Sequence, residues 1–227
     1  MIIFNNVTKI YPGSKIPAIR DLTTEITRGE FVFLVGPSGA GKSTFIKLLF
    51  REQLPTKGTI YFEGKNIARL TKGQLLRHRR QIGMVFQDFR LLKQKTVYEN
   101  VAFALEVLGR SPRVIRQKVP DALAKVGLLG KEKSFPSELS GGEQQRVGVA
   151  RALVKDPLIV LADEPTGNLD RENSRQLMDL FETINKEGTT VIIATHAWDL
   201  VDRMQKRVIA LDKGRLVRDE KRGSYDV

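Results

Sequence analysis

One stretch limits what this chain can fold into more than any other: "FVFLVGPSGAGKST", Phe31 to Thr44. Five apolar residues with a preference for strands run straight into a glycine-rich segment. That segment ends on a lysine and two hydroxyl residues ahead of the helix-like "FIKLLF". A strand, a glycine turn and a helix in immediate succession open a parallel α/β unit. The turn fits G-x-x-x-x-G-K-[ST]. Gly36, Gly39 and Gly41 permit a tight loop, filled by Pro37, Ser38 and Ala40, whose backbone N–H groups face phosphate at the positive end of a helix. Lys42 is placed to reach the β- and γ-phosphates, and Ser43, followed by Thr44, to hold Mg2+ through its hydroxyl. The lysine and the hydroxyl mark triphosphate chemistry, not the hydride transfer of a dinucleotide fingerprint.

Further apolar runs, "QIGMVFQ", "LIVLAD", "TTVIIATH" and "RVIALD", alternate with amphipathic stretches of helical length, which predicts a parallel sheet covered by helices. Near the N-terminus, "IIFNNVTKIY" and "GTIYFEGKNI" alternate apolar and polar residues, as an antiparallel patch beside the main sheet would. Between about residues 90 and 137 the pattern turns helical. Ser111 can cap a helix there with Pro112 at its first position, and Pro120 is expected to break or kink it. The resulting expectation is one domain over residues 1–227: a core with a β subdomain from about 1–89 and 138–227, and a helical subdomain from about 90–137. The polar end, "DEKRGSYDV", is expected to fray.

A triphosphate site needs an acidic partner, and "LIVLADEP" supplies one. Asp163 and Glu164 sit at the C-terminal end of an apolar strand, where open α/β sheets place ligands. Asp163 suits the Mg2+ shell, through water, and Glu164 is free to act as a general base.

Composition narrows the class. At 227 residues, 41% hydrophobic and 28% charged, the chain is long enough for one sizeable core. No apolar run is long enough to cross a bilayer, and "MIIFNNVTKIYPG" does not read as a signal peptide. The absence of cysteine excludes disulfides and agrees with a cytoplasmic location. The net charge of +12 is uneven: between Lys65 and Lys95 stand nine Lys or Arg and one Asp. That run reads as a solvated basic face before it reads as a docking surface.

"LSGGEQQRVGVARAL", Leu139 to Leu153, raises a separate question. Ser140 and Glu143 fit a capping box, and Val147, Ala150 and Val154 follow at helical spacing with Pro157 beyond. Gly141 and Gly142 in that first turn cost helix stability, up to about 1 kcal/mol each if interior. A plain cap has no use for them; an anion approaching the helix end does.

Taken in order, the phosphate loop, "VFQD", "LSGGEQQRV", "LIVLADEP", "GNLD" and "ATH" resemble the ATP-binding cassette family over essentially the whole chain. The resemblance implies a RecA-like P-loop core with an antiparallel β subdomain and an inserted helical subdomain. It also implies ATP hydrolysis with Mg2+. Gln87 then matches the glutamine that touches Mg2+ and the attacking water, and His196 the histidine that contacts the γ-phosphate. Tyr11 matches the aromatic stacked on adenine, and Asp170 the aspartate linking two nucleotide sites. Ser140, Gly141, Gly142 and Glu143 would complete the site of a second copy, giving a head-to-tail homodimer around two ATP molecules. One departure stands out: Ala197 follows His196 where many relatives carry an acidic residue.

"FRLLKQKTVYENVAFALEVLG" and "LADEPTGNLD" are similar to the cell-division branch of the family. This implies a membrane partner resembling FtsX, control of peptidoglycan hydrolysis, and a peripheral position on the cytoplasmic side of the membrane. Phe89, Leu91, Leu92, Tyr98 and Phe103 are the candidate partner contacts, with most of them expected to serve the chain's own core. The alternatives are the ATPase of a lipoprotein-release or macrolide-type exporter and, less favoured, a DNA-maintenance ATPase. The latter usually carries long coiled-coil heptads that this sequence lacks, so no specific nucleic acid is expected.

Overall fold

The structure, a computed structural model, describes residues 1–225; Asp226 and Val227, the last of the polar end, lie outside the described residues. Two sheets form. The smaller contains β1 (Ile2–Lys9), β2 (Ile19–Ile26), β4 (Lys57–Phe62) and β5 (Lys65–Asn66), paired antiparallel in the order β2-β1-β4-β5. Glu63 and Gly64, both at positive φ, turn β4 into β5. β2 escapes sequence reading because "IRDLTTEI" is too polar to stand out; its buried residues Ile19, Leu22, Thr24 and Ile26 are interleaved with exposed ones.

The larger sheet is formed by β3 (Phe31–Val35), β6 (Ile82–Phe86), β7 (Ile159–Asp163), β8 (Thr190–Ala194), β9 (Arg207–Asp212) and β10 (Arg215–Glu220). Its order is β10-β9-β3-β8-β7-β6, parallel except for the β9–β10 hairpin. Successive side chains of a strand face opposite ways, so each central strand feeds two cores. Phe31, Phe33, Val35, Val191 and Ile193 join one, together with α3 (Val97–Glu106), α4 (Pro112–Lys125), α5 (Gly141–Leu153), α6 (Arg171–Lys186) and α7 (Trp198–Met204). Val32, Leu34, Ile192 and Ala194 join the other, with α1 (Lys42–Leu49) and the antiparallel sheet. At about 1.5–3 kcal/mol for each fully buried large apolar side chain, these two layers are the main source of stability.

α4 runs on through Pro120, so of the break or kink expected there the break does not occur. Proline removes one N–H and crowds the carbonyl four residues back. That carbonyl belongs to Arg116, which is exposed, so water can meet it. Among the described residues of the polar end, the Tyr225 N–H donates to Asp202 Oδ1 (2.7 Å), and its ring packs on the larger core. The basic run has local uses. α2 (Lys72–Arg80) carries Arg77, Arg79 and Arg80 in its last turn, where cations offset the helix dipole, and Arg79 stacks on Phe50 while donating to the Arg51 carbonyl.

Candidate functional site

The register of the larger sheet brings the functional segments together. Leu34 pairs with Ala194, Ala194 with Asp163, and Asp163 with Phe86. The residues that follow this row, Gly36, His196, Glu164 and Gln87, therefore leave the sheet along one edge. This is the C-terminal edge where α/β folds bind ligands.

At that edge the phosphate loop is shaped by contacts that leave no room for side chains. A Cβ on Gly36 (φ +142°) would lie 2.1 Å from the Leu211 carbonyl oxygen, and one on Gly41 (φ +111°) 2.5 Å from that of Ala18. The loop curls around Lys42, whose Nζ donates to the carbonyls of Gly36 (2.6 Å) and Pro37 (3.3 Å). α2 to α6 each begin at a Thr, Ser or Asp side chain that caps the first turn. α1 instead begins at Gly41 with no side-chain cap and no acidic residue in its first turn. Its leading N–H groups are thus available to an anion.

The carboxylates come next. Ser43 Oγ donates to Asp163 Oδ1 (3.2 Å), and burial, partly opposed by that hydrogen bond, pushes the Asp163 carboxyl above its ordinary range. A buried carboxylate of this kind gains from a cation. Glu164 adopts a left-handed backbone (φ +49°), its N–H donating to the Ala194 carbonyl. A non-glycine residue held there at the end of a strand marks stored strain. Its Oε1 lies 3.8 Å from Lys42 Nζ, and its Oε2 accepts from the His196 N–H (3.2 Å) and sits 2.8 Å from His196 Nδ1. Thr195 Oγ1 accepts from the Ala197 N–H. His196 is thus held by Glu164 and by the turn at Thr195, without an acidic side chain at position 197. Ser38 to Thr44, Ala18, Glu164 and His196 line an open cleft of about 630 Å³.

Other expected residues lie beside this cleft or away from it. The Tyr11 hydroxyl is 3.4 Å from Thr44 Oγ1, which sets the ring next to the phosphate loop. Gln87 is exposed and rests on Gly167, where a Cβ would come within 2.6 Å of Nε2, while Asn168 donates to its carbonyl. Ser140, Gly141, Gly142 and Glu143 do not line the cleft. Ser140 and Glu143 form the expected capping box, and Lys131 pairs with Glu143. Gly142 has a use the sequence does not suggest: a Cβ there would lie 2.3 Å from Asn173 Oδ1. Gly141 has no neighbour closer than 3.8 Å. Asp170 caps α6 and is bonded by both the N–H and Nδ2 of Asn173, which hold its carboxyl below the usual range. Of the candidate partner contacts, Leu91 and Tyr98 pack on the core, Phe89 and Leu92 are half-buried, and Phe103 is exposed.

Sequence reading missed Gln145 and Arg151. Both lie on α5, Gln145 fully buried and in line with buried Val149 and Ala152. A polar residue on the apolar face of a helix was the available signal.

A family model described as ABC transporter matches residues 19–167. The chain is 56% identical over 225 residues to the cell division ATP-binding protein FtsE of Mycobacterium tuberculosis, covering 99% of this chain and 98% of that protein. The protein of the same name from Bacillus subtilis is 52% identical, with 99% and 98% covered. That from Escherichia coli K12 is 50% identical, with 95% and 97% covered. Among solved structures, a dimeric post-hydrolysis state of the ATP-binding cassette MJ0796, bound to ADP and phosphate, superimposes with a TM-score of 0.87 at 36% identity. The match covers 98% of this chain and all of that one. CbiO1 from Clostridium perfringens, part of the cbiONQ ABC transporter complex, gives 0.90 at 30% identity, with 97% and 88% covered.

Proposed function

The chain belongs to the ABC transporter family, and from that premise we propose that it hydrolyses ATP as the engine of a cell-division complex, working with a membrane partner of the FtsX type to control peptidoglycan hydrolysis. The observation that carries this reading is the convergence of Lys42, Ser43, Asp163, Glu164 and His196 at the uncapped start of α1. Names of relatives at 50–56% identity support the cell-division role.

In this reading N–H groups between Ser38 and Thr44 and the Lys42 ammonium bind the triphosphate, with the adenine against Tyr11. Ser43 and Asp163 offer hard oxygen donors fit for Mg2+. Among the described residues no cluster of three acidic or histidine side chains could hold a metal ion alone, which suits an ion shared with the phosphates and with Gln87. When bound, that ion neutralises charge on the β- and γ-phosphates. Water attacks the γ-phosphorus, the bond to the β-phosphate oxygen breaks, and ADP and inorganic phosphate leave. Glu164 takes the proton of the water, while Gln87 and His196 orient water and γ-phosphate.

A single chain provides half of each site. Ser140, Gly141, Gly142 and Glu143 lie outside their own chain's cleft, and they would close the cleft of a second copy, with Asp170 between the two sites. A dimeric relative bound to ADP and phosphate supports this arrangement. Residues 1–89 and 138–227 then act as the core and β subdomain, and 90–137 as the helical part that meets the membrane partner. Among the described residues no helix is long and apolar enough to cross a membrane, so attachment to the cytoplasmic face would come through that partner.

The test is Glu164→Gln in the full chain purified with its membrane partner. Turnover should fall about a hundredfold or more, the size of a general-base contribution, while ATP is still bound and traps a dimer. Undiminished turnover, or purification with an exporter-type permease only, would overturn the proposal.

A further inference from the structure

Beyond Phe86 and Asp163, the last paired residues of β6 and β7, no backbone ladder fixes the distance between the segments carrying Gln87 and Glu164. Besides Asn168, which donates to the Gln87 carbonyl, a side chain from α5 spans the gap. The carboxamide of Gln145, fully buried on α5, donates through Nε2 to the Phe86 carbonyl (3.2 Å) and the Pro165 carbonyl (2.8 Å). Those carbonyls belong to the residue just before Gln87 and the residue just after Glu164. The opposite orientation of the amide would set its oxygen against two carbonyls, so the donor must face them. Its Oε1 is consequently buried with no hydrogen-bond partner. An unpaired buried acceptor opposes folding, and an apolar residue of similar volume would avoid it. The amide is explained by the two carbonyls it holds.

Arg151, further along α5, grips the same segment from its far side. Its Nη2 donates to the Phe89 carbonyl (2.8 Å) and Nη1 to the Arg90 carbonyl (2.6 Å). Phe89 and Arg90 are both left-handed, at φ +56° and +48°, so the bend after Gln87 is a strained one that the guanidinium fork holds in place. Asn168 and Gly167 then seat Gln87 itself against the segment following Glu164.

We propose that Gln145 and Arg151 are positioning residues for hydrolysis: they set the spacing of Gln87 and Glu164 and tie it to α5, the helix that begins after Ser140. This rests on the reading of Gln87 and Glu164 as hydrolytic groups given above.

The test uses Gln145→Leu, which keeps the volume and removes both donors, and Arg151→Lys, which keeps the charge and loses the fork. In the full chain with its membrane partner, kcat should fall about tenfold to a hundredfold in each, the effect of a small misplacement of reacting groups. The Kd for a fluorescent ATP analogue should stay within about twofold. Gln145→Leu removes the unpaired acceptor but also takes the donor from the Phe86 and Pro165 carbonyls, so it should melt only a few degrees below the parent chain. Amide hydrogen exchange across residues 86–92 should accelerate in both. Unchanged kcat, or a loss matched by lost ATP affinity and a much lower melting temperature, overturns the proposal; Arg151→Lys decides it if Gln145→Leu fails to fold. If Glu164→Gln stops turnover and these variants do not, only this inference fails. If Glu164→Gln leaves turnover intact, the functional reading fails first.

Discussion

Of the three glycines of the phosphate loop, the motif specifies Gly36 and Gly41 and leaves Gly39 free, and alanine substitution should show the structural difference between Gly36 and Gly39. At Gly39 (φ +77°) a Cβ meets nothing within 4 Å. Gly39→Ala therefore incurs only the left-handed penalty, about 1–2 kcal/mol, offset by about 0.4–1 kcal/mol of lost freedom in the unfolded chain. The net is between about zero and about 1.6 kcal/mol. At Gly36 the backbone penalty is joined by a Cβ 2.1 Å from the Leu211 carbonyl oxygen and 3.2 Å from its carbon, against a practical limit of 3.0 Å. Roughly 0.9 Å of movement is needed. The atoms in the way are backbone of β9, whose Ala210 pairs with Val35 in the residue row just before. Overpacking costs about 1–3 kcal/mol and can exceed that where backbone must shift, and a strained ladder hydrogen bond adds about 1 kcal/mol. Gly36→Ala should thus lose about 3–5 kcal/mol. For a chain of this length that is a fall of roughly 10 °C or more in Tm, against a few degrees for Gly39→Ala. Urea unfolding, with equal slopes to show that the folded states are comparable, measures the difference without ATP. Midpoints of the two variants that coincide would refute the reasoning, because the contact with Leu211 would then carry no weight.

Ser140→Arg should lose about 1 kcal/mol of helix capping and leave ATP affinity of the single chain nearly intact, yet abolish turnover; an active variant would contradict completion of the site by a second copy. Burial depresses Lys155 to about 8. The unfolded chain therefore binds more protons between that value and the ordinary lysine range, and stability should rise with pH across this window. Lys155→Met should remove the rise and stabilise the protein at pH 7, as urea midpoints from pH 7 to 10 would show; a flat curve for the parent chain would contradict it.

Much of the site is readable along the chain because its logic is short-ranged. The capping box of Ser140 and Glu143, the strand before Gly36 and the carboxylates after "LIVLA" each depend on residues a few positions apart, and the structure places them as periodicity and capping rules expect. Of the break or kink expected at Pro120, the break does not occur, because the outcome depends on what surrounds the segment: the carbonyl crowded by the proline belongs to the exposed Arg116.

By itself the sequence determined the ingredients: a lysine and hydroxyl at a helix start, an acidic pair at a strand end, and a second glycine-bearing helix start. The tertiary structure decided the tolerances. Gly36 answers to Leu211, Gly142 to Asn173, and Gln145 to carbonyls 59 and 20 residues away. No local propensity encodes such pairs, because packing between elements selects them only after the sheet register has aligned Phe86, Asp163 and Ala194.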